Sequence, residues 1–129
     1  MTDPIEQEIQ AKGLTAPRIT PGDLQANVAG EYYFTAGNGV QAAFHSQDEL
    51  TRLTGAHAQL DQLTFCVLVL RNGFTVTGES ACASPENFDA EVGRKIARQN
   101  AEQKIWPLMG YELKERLHQM TLPAESPSE

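Results

Sequence analysis

The 129-residue chain carries 17 acidic against 10 basic side chains, a formal charge of −7, and 40% apolar residues. That length supports one domain with a proper core, burying roughly two-thirds of the surface the unfolded chain exposes, while the negative charge opposes generic binding to nucleic acid or to an anionic membrane, both of which reward Lys and Arg. The longest apolar run, Phe65 to Leu70, is too short to span a bilayer. The acidic start MTDPIEQEIQ lacks the pattern of a secretory signal, so a cytoplasmic protein is expected.

Residues 1–18 read as an N-terminal arm, with Ile5 and Ile9 four apart between Pro4 and Pro17 and Gly13 as a stop. Thr20-Pro21-Gly22-Asp23 is a helix start: Thr20 can cap, proline suits the first helical position and Asp23 meets the positive end of the dipole. Leu24, Val28 and Tyr32 at four-residue spacing then predict a helix over 21–33. Gly37-Asn38-Gly39 is ambiguous between a hairpin turn and a loop ending that helix. Ser46 and Glu49 match a capping box and open a short helix, with Leu50 and Leu53 inward and Gly55 at its end.

The strand from about 62 to 71 is apolar on both faces, as expected of a central or doubly covered strand. Asn72-Gly73 reads as a two-residue type I′ turn, which pairs Arg71 with Phe74 and Cys66 with Glu79. In that register Phe74 and Val76 continue the face of Phe65, Val67 and Val69, and Thr75, Thr77 and Glu79 form a mixed face with Cys66 and Leu68. Cys82 then falls off register from Cys66, which argues for thiols rather than a disulfide. Gly78 reads first as a bulge and second as a point where a backbone, side chain or ligand approaches closely. No CxxC or HxxxH spacing accompanies the cysteines, and His45, His57 and His118 are scattered, so no metal site is expected.

Ser84-Pro85-Glu86 opens a main helix over 85–105, with Phe88, Val92 and Ile96, then Ala97, Ala101 and Ile105, as a drifting apolar stripe facing the hairpin. Trp106-Pro107 is expected to end or kink it, with a last helix at 111–119 and a disordered tail over 120–129. The fold class expected is α+β: a small antiparallel sheet centred on a β-hairpin, packed by a long helix, with additional short helices, in one domain over 19–119. One helix covers one face of the 62–71 strand, so the upstream helices or another subunit must close the other. A homo-oligomer is expected.

The blocks NGFTVTGESAC, PENFDAEVGRKIA and KIWPLMGY, in this order and without gaps, together with a weaker match at ITPGDLQANVAGEYYF, resemble a family of small tailed-bacteriophage and prophage proteins of unassigned function. The resemblance is close over about 63–117. It implies a phage accessory protein made in the host bacterial cytoplasm, a setting in which many small proteins block host enzymes or defence systems. It carries no catalytic mechanism with it.

Glu79, Asp89 and Glu91 are acids near the hairpin–helix junction. Asp89 in the first helical turn suits the dipole, Glu91 suits a four-residue pair with Lys95, and Glu79 suits a salt bridge to Arg71, Arg94 or Arg98. Arg94, Lys95 and Arg98 make a basic cluster on an acidic protein, either solvated and self-paired or an anion pocket in which Arg94 and Arg98, one turn apart, hold a phosphate or an acidic side chain. Trp106 and Tyr111, with Tyr32 and Tyr33, are a candidate stacking wall, and Trp106 also reads as a core anchor. Without a Walker loop or GxGxxG, no cofactor and no catalytic residue is expected. The functional expectation is a non-enzymatic, counter-defence binding protein that sequesters a nucleotide-like signal or inhibits a host protein. Its alternatives are an acidic DNA mimic, using patches such as Asp48/Glu49 or Glu112/Glu115, and a small phosphodiesterase or hydrolase.

Overall fold

The computed structural model describes residues 3–43 and 58–123. Asp3 caps the first helix, α1 (Pro4–Ala11), by accepting from the Ile5 amide at 2.8 Å. Thr20 and Asp23 form a reciprocal capping box at the start of α2 (Pro21–Ala26), with the Asp23 amide donating to Thr20 Oγ1 at 3.0 Å and the Thr20 amide to Asp23 Oδ2 at 2.9 Å. The expected helix over 21–33 stops at Asn27, and Val28–Thr35 is instead a strand, β1. Within VAGEYYFT, Val28 and the run Tyr32 to Thr35 are β-branched or aromatic, and pairing along the apolar neighbour strand outweighs the four-residue spacing of Leu24, Val28 and Tyr32. The ambiguous Gly37-Asn38-Gly39 lies in neither a hairpin nor a loop but within α3 (Ala36–Ala43). There the Asn38 amide donates to Thr35 Oγ1 and the Thr35 amide to Asn38 Oδ1. The short helix expected from Ser46 lies outside the described residues.

Strands β1, β2 (Leu63–Leu70) and β3 (Thr75–Ala81) form an antiparallel sheet in the order β1-β2-β3, so the doubly apolar strand is the central one. The turn corrects the expected register. Leu70 and Phe74 close the hairpin around a three-residue loop, Arg71–Gly73, in which the Gly73 amide donates to the Leu70 carbonyl at 2.9 Å. In this loop Gly73 alone has positive φ, at 90°, so the turn is not type I′. Cys66 therefore faces Gly78, not Glu79, and Val76 faces Leu68. Because side chains alternate with period two, this one-residue slip exchanges the two faces of β3. Thr64, Cys66, Leu68 and Leu70 share the buried face with Val76 and Gly78, while Phe65, Val67 and Val69 share the other with Thr75, Thr77 and Glu79. Both cysteines are free thiols, with Cys66 buried and Cys82 Sγ donating to the Ser84 carbonyl at 3.0 Å.

The main helix starts later than expected. Pro85–Asn87 makes a single 3-10 turn without a side-chain cap from Ser84, and Asp89 caps α4 (Ala90–Thr121) by accepting from the Val92 amide at 3.0 Å. Pro107 neither ends nor divides α4, so the separate helix expected over 111–119 is its continuation. Pro107 and Gln103, the residue four back whose carbonyl it cannot satisfy, both lie on the exposed side of the helix. The buried stripe is Gly93, Ala97, Ala101 and Ile105, while Val92 and Ile96 are displaced to the exposed flank. Gly78 explains this choice: a Cβ there would overlap the Ala97 carbonyl oxygen and the Ala101 amide nitrogen. Gly78 is paired in regular register and makes no bulge; it lets helix backbone touch sheet, and only small residues fit on α4 at that contact.

Candidate functional site

The candidate binding residues Arg94, Lys95, Arg98, Glu79, Trp106 and Tyr111 do not converge on one site. Arg98 is 23% exposed and bound on three sides, to Glu31 of β1, to Glu102 at 2.8 Å and to Gln25 of α2 at 2.7 Å. It clasps α2, β1 and α4 together, with each of its three guanidinium nitrogens engaged. Lys95 pairs with Glu91 at 3.4 Å on the solvent side, the four-residue pair the sequence suggested. Arg94 lines a pocket of about 110 Å³ at the N-terminal end of α4, with Tyr33, Thr35, Asn38, Thr64 and Phe88. Glu79 is exposed on the opposite sheet face, where its carbonyl accepts from Asn100 Nδ2 at 2.8 Å, and its carboxylate has no ion pair among the described residues. Trp106 packs against the core, as its anchor reading holds. Tyr111 is 75% exposed and lies about 25 Å along the helix axis from Arg94.

Tyr33 and Cys66 form a polar contact inside the sheet–helix layer. Burial pushes the Cys66 thiol up, partly opposed by the Tyr33 hydroxyl, and burial followed by the neighbouring Cys66 pushes Tyr33 up. Both groups thus favour the folded state while neutral. Their contribution is complete below the ordinary thiol value of about 8.5 and is lost as pH rises beyond it. We expect the melting temperature to fall from pH 8 to about pH 10 more steeply in the wild type than in Cys66→Ala. Parallel curves measured by circular dichroism would show that the Cys66 thiol makes no such contribution.

The larger concavity lies at the other end of the sheet. At 32 residues α4 is about 48 Å long, against about 27 Å for the strands, so its C-terminal part runs past the hairpin tip. Between that overhang, the hairpin tip and the chain around α2 lies a groove of about 770 Å³. Its apolar lining includes Ile19, Leu70, Phe74, Leu108, Met109 and Leu113, and three arginines, Arg18, Arg71 and Arg116, stand around it. The Arg71 amide donates to the Asn27 carbonyl at 3.0 Å, which pins the hairpin tip to the end of α2. Arg18 forks onto Glu6 of α1 at 2.9 and 2.5 Å, and this contact raises the Arg18 pKa. Arg116 pairs with Glu112 at 2.6 Å, whereas Arg71 has no carboxylate partner among the described residues. Asp23, also in the lining, is held below the usual carboxylate range by its hydrogen bonds with Thr20.

Sequence reasoning missed this groove because its arginines are scattered over nearly a hundred positions and meet only through the fold. One local signal was available: Phe74, an aromatic residue beside Arg71 at the turn, is 54% exposed at the hairpin tip. Among the described residues, no group of three His, Cys, Asp or Glu side chains is placed to hold a metal ion.

The fold is α+β: a three-stranded antiparallel sheet packed by one long helix, with several short helices. Residues 19–117 match the model of the Phage protein (N4 Gp49/phage Sf6 gene 66) family, and the chain belongs to that family. It is therefore a phage-encoded protein. No curated protein and no solved structure matches it. Among the described residues, no helix is long and apolar enough to cross a membrane.

Proposed function

We propose that this phage protein acts in counter-defence by binding, and that it sequesters a nucleotide-like signal in the groove at the hairpin tip. The observation that carries the reading is the pairing of an apolar floor with three arginines in one concavity, on a chain whose net charge is −7. A volume of about 770 Å³ falls within the range of small-molecule sites. Guanidinium forks suit phosphate oxygens, and the exposed ring of Phe74 offers a face to a base. Binding rather than turnover is favoured because, among the described residues, the lining holds no His, Cys, Ser or Thr, and its two carboxylates, Asp23 and Glu112, are engaged in a helix cap and an ion pair. A second reading, inhibition of a host protein, is favoured by Leu113, Leu117 and Met120, an apolar strip that continues the groove along α4.

Thermal shift with cyclic nucleotides and NAD-derived metabolites tests this. A ligand at 100 times its dissociation constant adds about 2.7 kcal/mol, a rise of several degrees, and Arg71→Glu should abolish it without lowering the melting temperature of the free protein. The absence of any shift across the panel would reject sequestration in favour of the host-protein reading. Recovery of a chemically altered ligand by mass spectrometry would overturn the non-enzymatic reading.

A further inference from the structure

We propose that the N-terminal arm is an autoinhibitory strap on the groove at the hairpin tip: Glu6 of α1 holds the Arg18 guanidinium in the place of an anionic ligand, and arm and ligand compete for it. The inference rests on the reading of that groove as an anion-binding site. α1 is docked by charge. Among the described residues Glu6 is the only buried acidic side chain, at 8% exposure, while Ile5 on the same helix is left 67% exposed. A helix held by apolar contact would turn the other way, and α1 has no extended packing on a strand or another helix. Its eight residues are too few to stay helical alone in water, where even about 12–15 are marginal, so α1 is ordered only while it is docked.

The tie itself is suited to exchange. Arg18 Nη1 donates to Glu6 Oε2 at 2.9 Å and Nη2 lies 2.5 Å from Oε1, so the arm's carboxylate takes the pair of nitrogens with which a guanidinium forks onto a phosphate. Oε1 is buried and accepts no hydrogen bond. An incompletely bonded buried carboxylate is costly to hold, and a phosphate reaching Arg18 from the open groove escapes that cost. Arg116 is also paired with a carboxylate, but its partner, Glu112, sits one turn away on the same helix, whereas the partner of Arg18 belongs to an element that can leave. Residues 19–117, which match the phage family, include Arg71, Arg116 and the apolar floor of the groove but neither Glu6 nor Arg18. The strap is thus an addition to the matched domain.

Calorimetric titration of the full chain with inorganic pyrophosphate, beside hydrogen exchange of the α1 amides, tests this. Glu6→Gln keeps the shape of the side chain and removes its charge. It should tighten pyrophosphate binding by about tenfold and strip the α1 amides of protection. Because coupling between two binding events is reciprocal, saturating pyrophosphate should speed α1 exchange in the wild type. Arg18→Gln frees the arm as well but offers no cation, and should bind no more tightly than the wild type. A gain in Arg18→Gln equal to that in Glu6→Gln would overturn the competition by showing that the arm obstructs through bulk alone. Unchanged affinity in Glu6→Gln, with binding still lost in Arg71→Glu, would overturn the strap and leave the groove reading intact. Equal protection of the α1 amides in Glu6→Gln and wild type would overturn the ion pair as the latch. An absence of pyrophosphate binding by both wild type and Glu6→Gln would remove the groove as an anion site, and the strap with it.

Discussion

Gly78→Ala is expected to destabilise the domain by about 2–3 kcal/mol, lowering the melting temperature by roughly 10 °C. The added methyl group has no open space: its position overlaps the Ala97 carbonyl and the Ala101 amide, and the nearest atoms are helix backbone rather than the tip of a flexible side chain. Relief requires α4 to lift from β3, and every contact of Ala97, Ala101 and Ile105 with Cys66, Leu68 and Val76 depends on that spacing. Gly110→Ala is the matched control. It lies in the same helix with nothing within 4 Å of the added atom, and better helix propensity should raise stability by about 0.5–1 kcal/mol. Urea unfolding of the two variants decides the matter. Equal midpoints would mean that helix and sheet do not meet at Gly78.

The elements were legible wherever one local rule acted alone. Thr20-Pro21-Gly22-Asp23 gave a helix start that the capping box realises, and the apolar run of β2 gave a central strand. Misreadings arose where two local rules competed. Asn72-Gly73 satisfies a two-residue turn, but Arg71 is absorbed into the loop, where its amide is held by Asn27, 44 residues away in sequence. No local pattern contains that bond, and the resulting slip moved Glu79 to the opposite face and Gly78 beneath the helix. The helix stripe shows the same dependence. Val92 and Ile96 are the more hydrophobic choice, yet Gly93, Ala97 and Ala101 face the sheet because contact distance, not hydrophobicity, is limiting there. The groove was the least legible feature, since Arg18, Arg71 and Arg116 lie far apart in sequence, in the chain before α2, in the hairpin loop and in α4, and meet only in the fold.

Arg98 separates a binding role from a structural one, and Arg98→Met is expected to cost about 2 kcal/mol of folding stability. The variant keeps the aliphatic stem but leaves the carboxylates of Glu31 and Glu102 near each other without the cation, and it frees Gln25 from its tie to α4. The full penalty of a broken buried pair does not apply, because Glu31 is half exposed and solvent screens it. Lys95→Met, three residues earlier on the same helix, breaks only a pair whose partners are each about 70% exposed and should cost under about 0.5 kcal/mol. A double-mutant cycle of Arg98→Met with Glu102→Gln should show a coupling of about 1 kcal/mol or more, since the two side chains share one partly buried contact. If Arg98→Met instead unfolds at the wild-type urea midpoint while losing nucleotide-induced stabilisation, Arg98 is a ligand contact rather than a clasp, and the binding site lies beside Arg94 at the N-terminal end of α4 instead of at the hairpin tip.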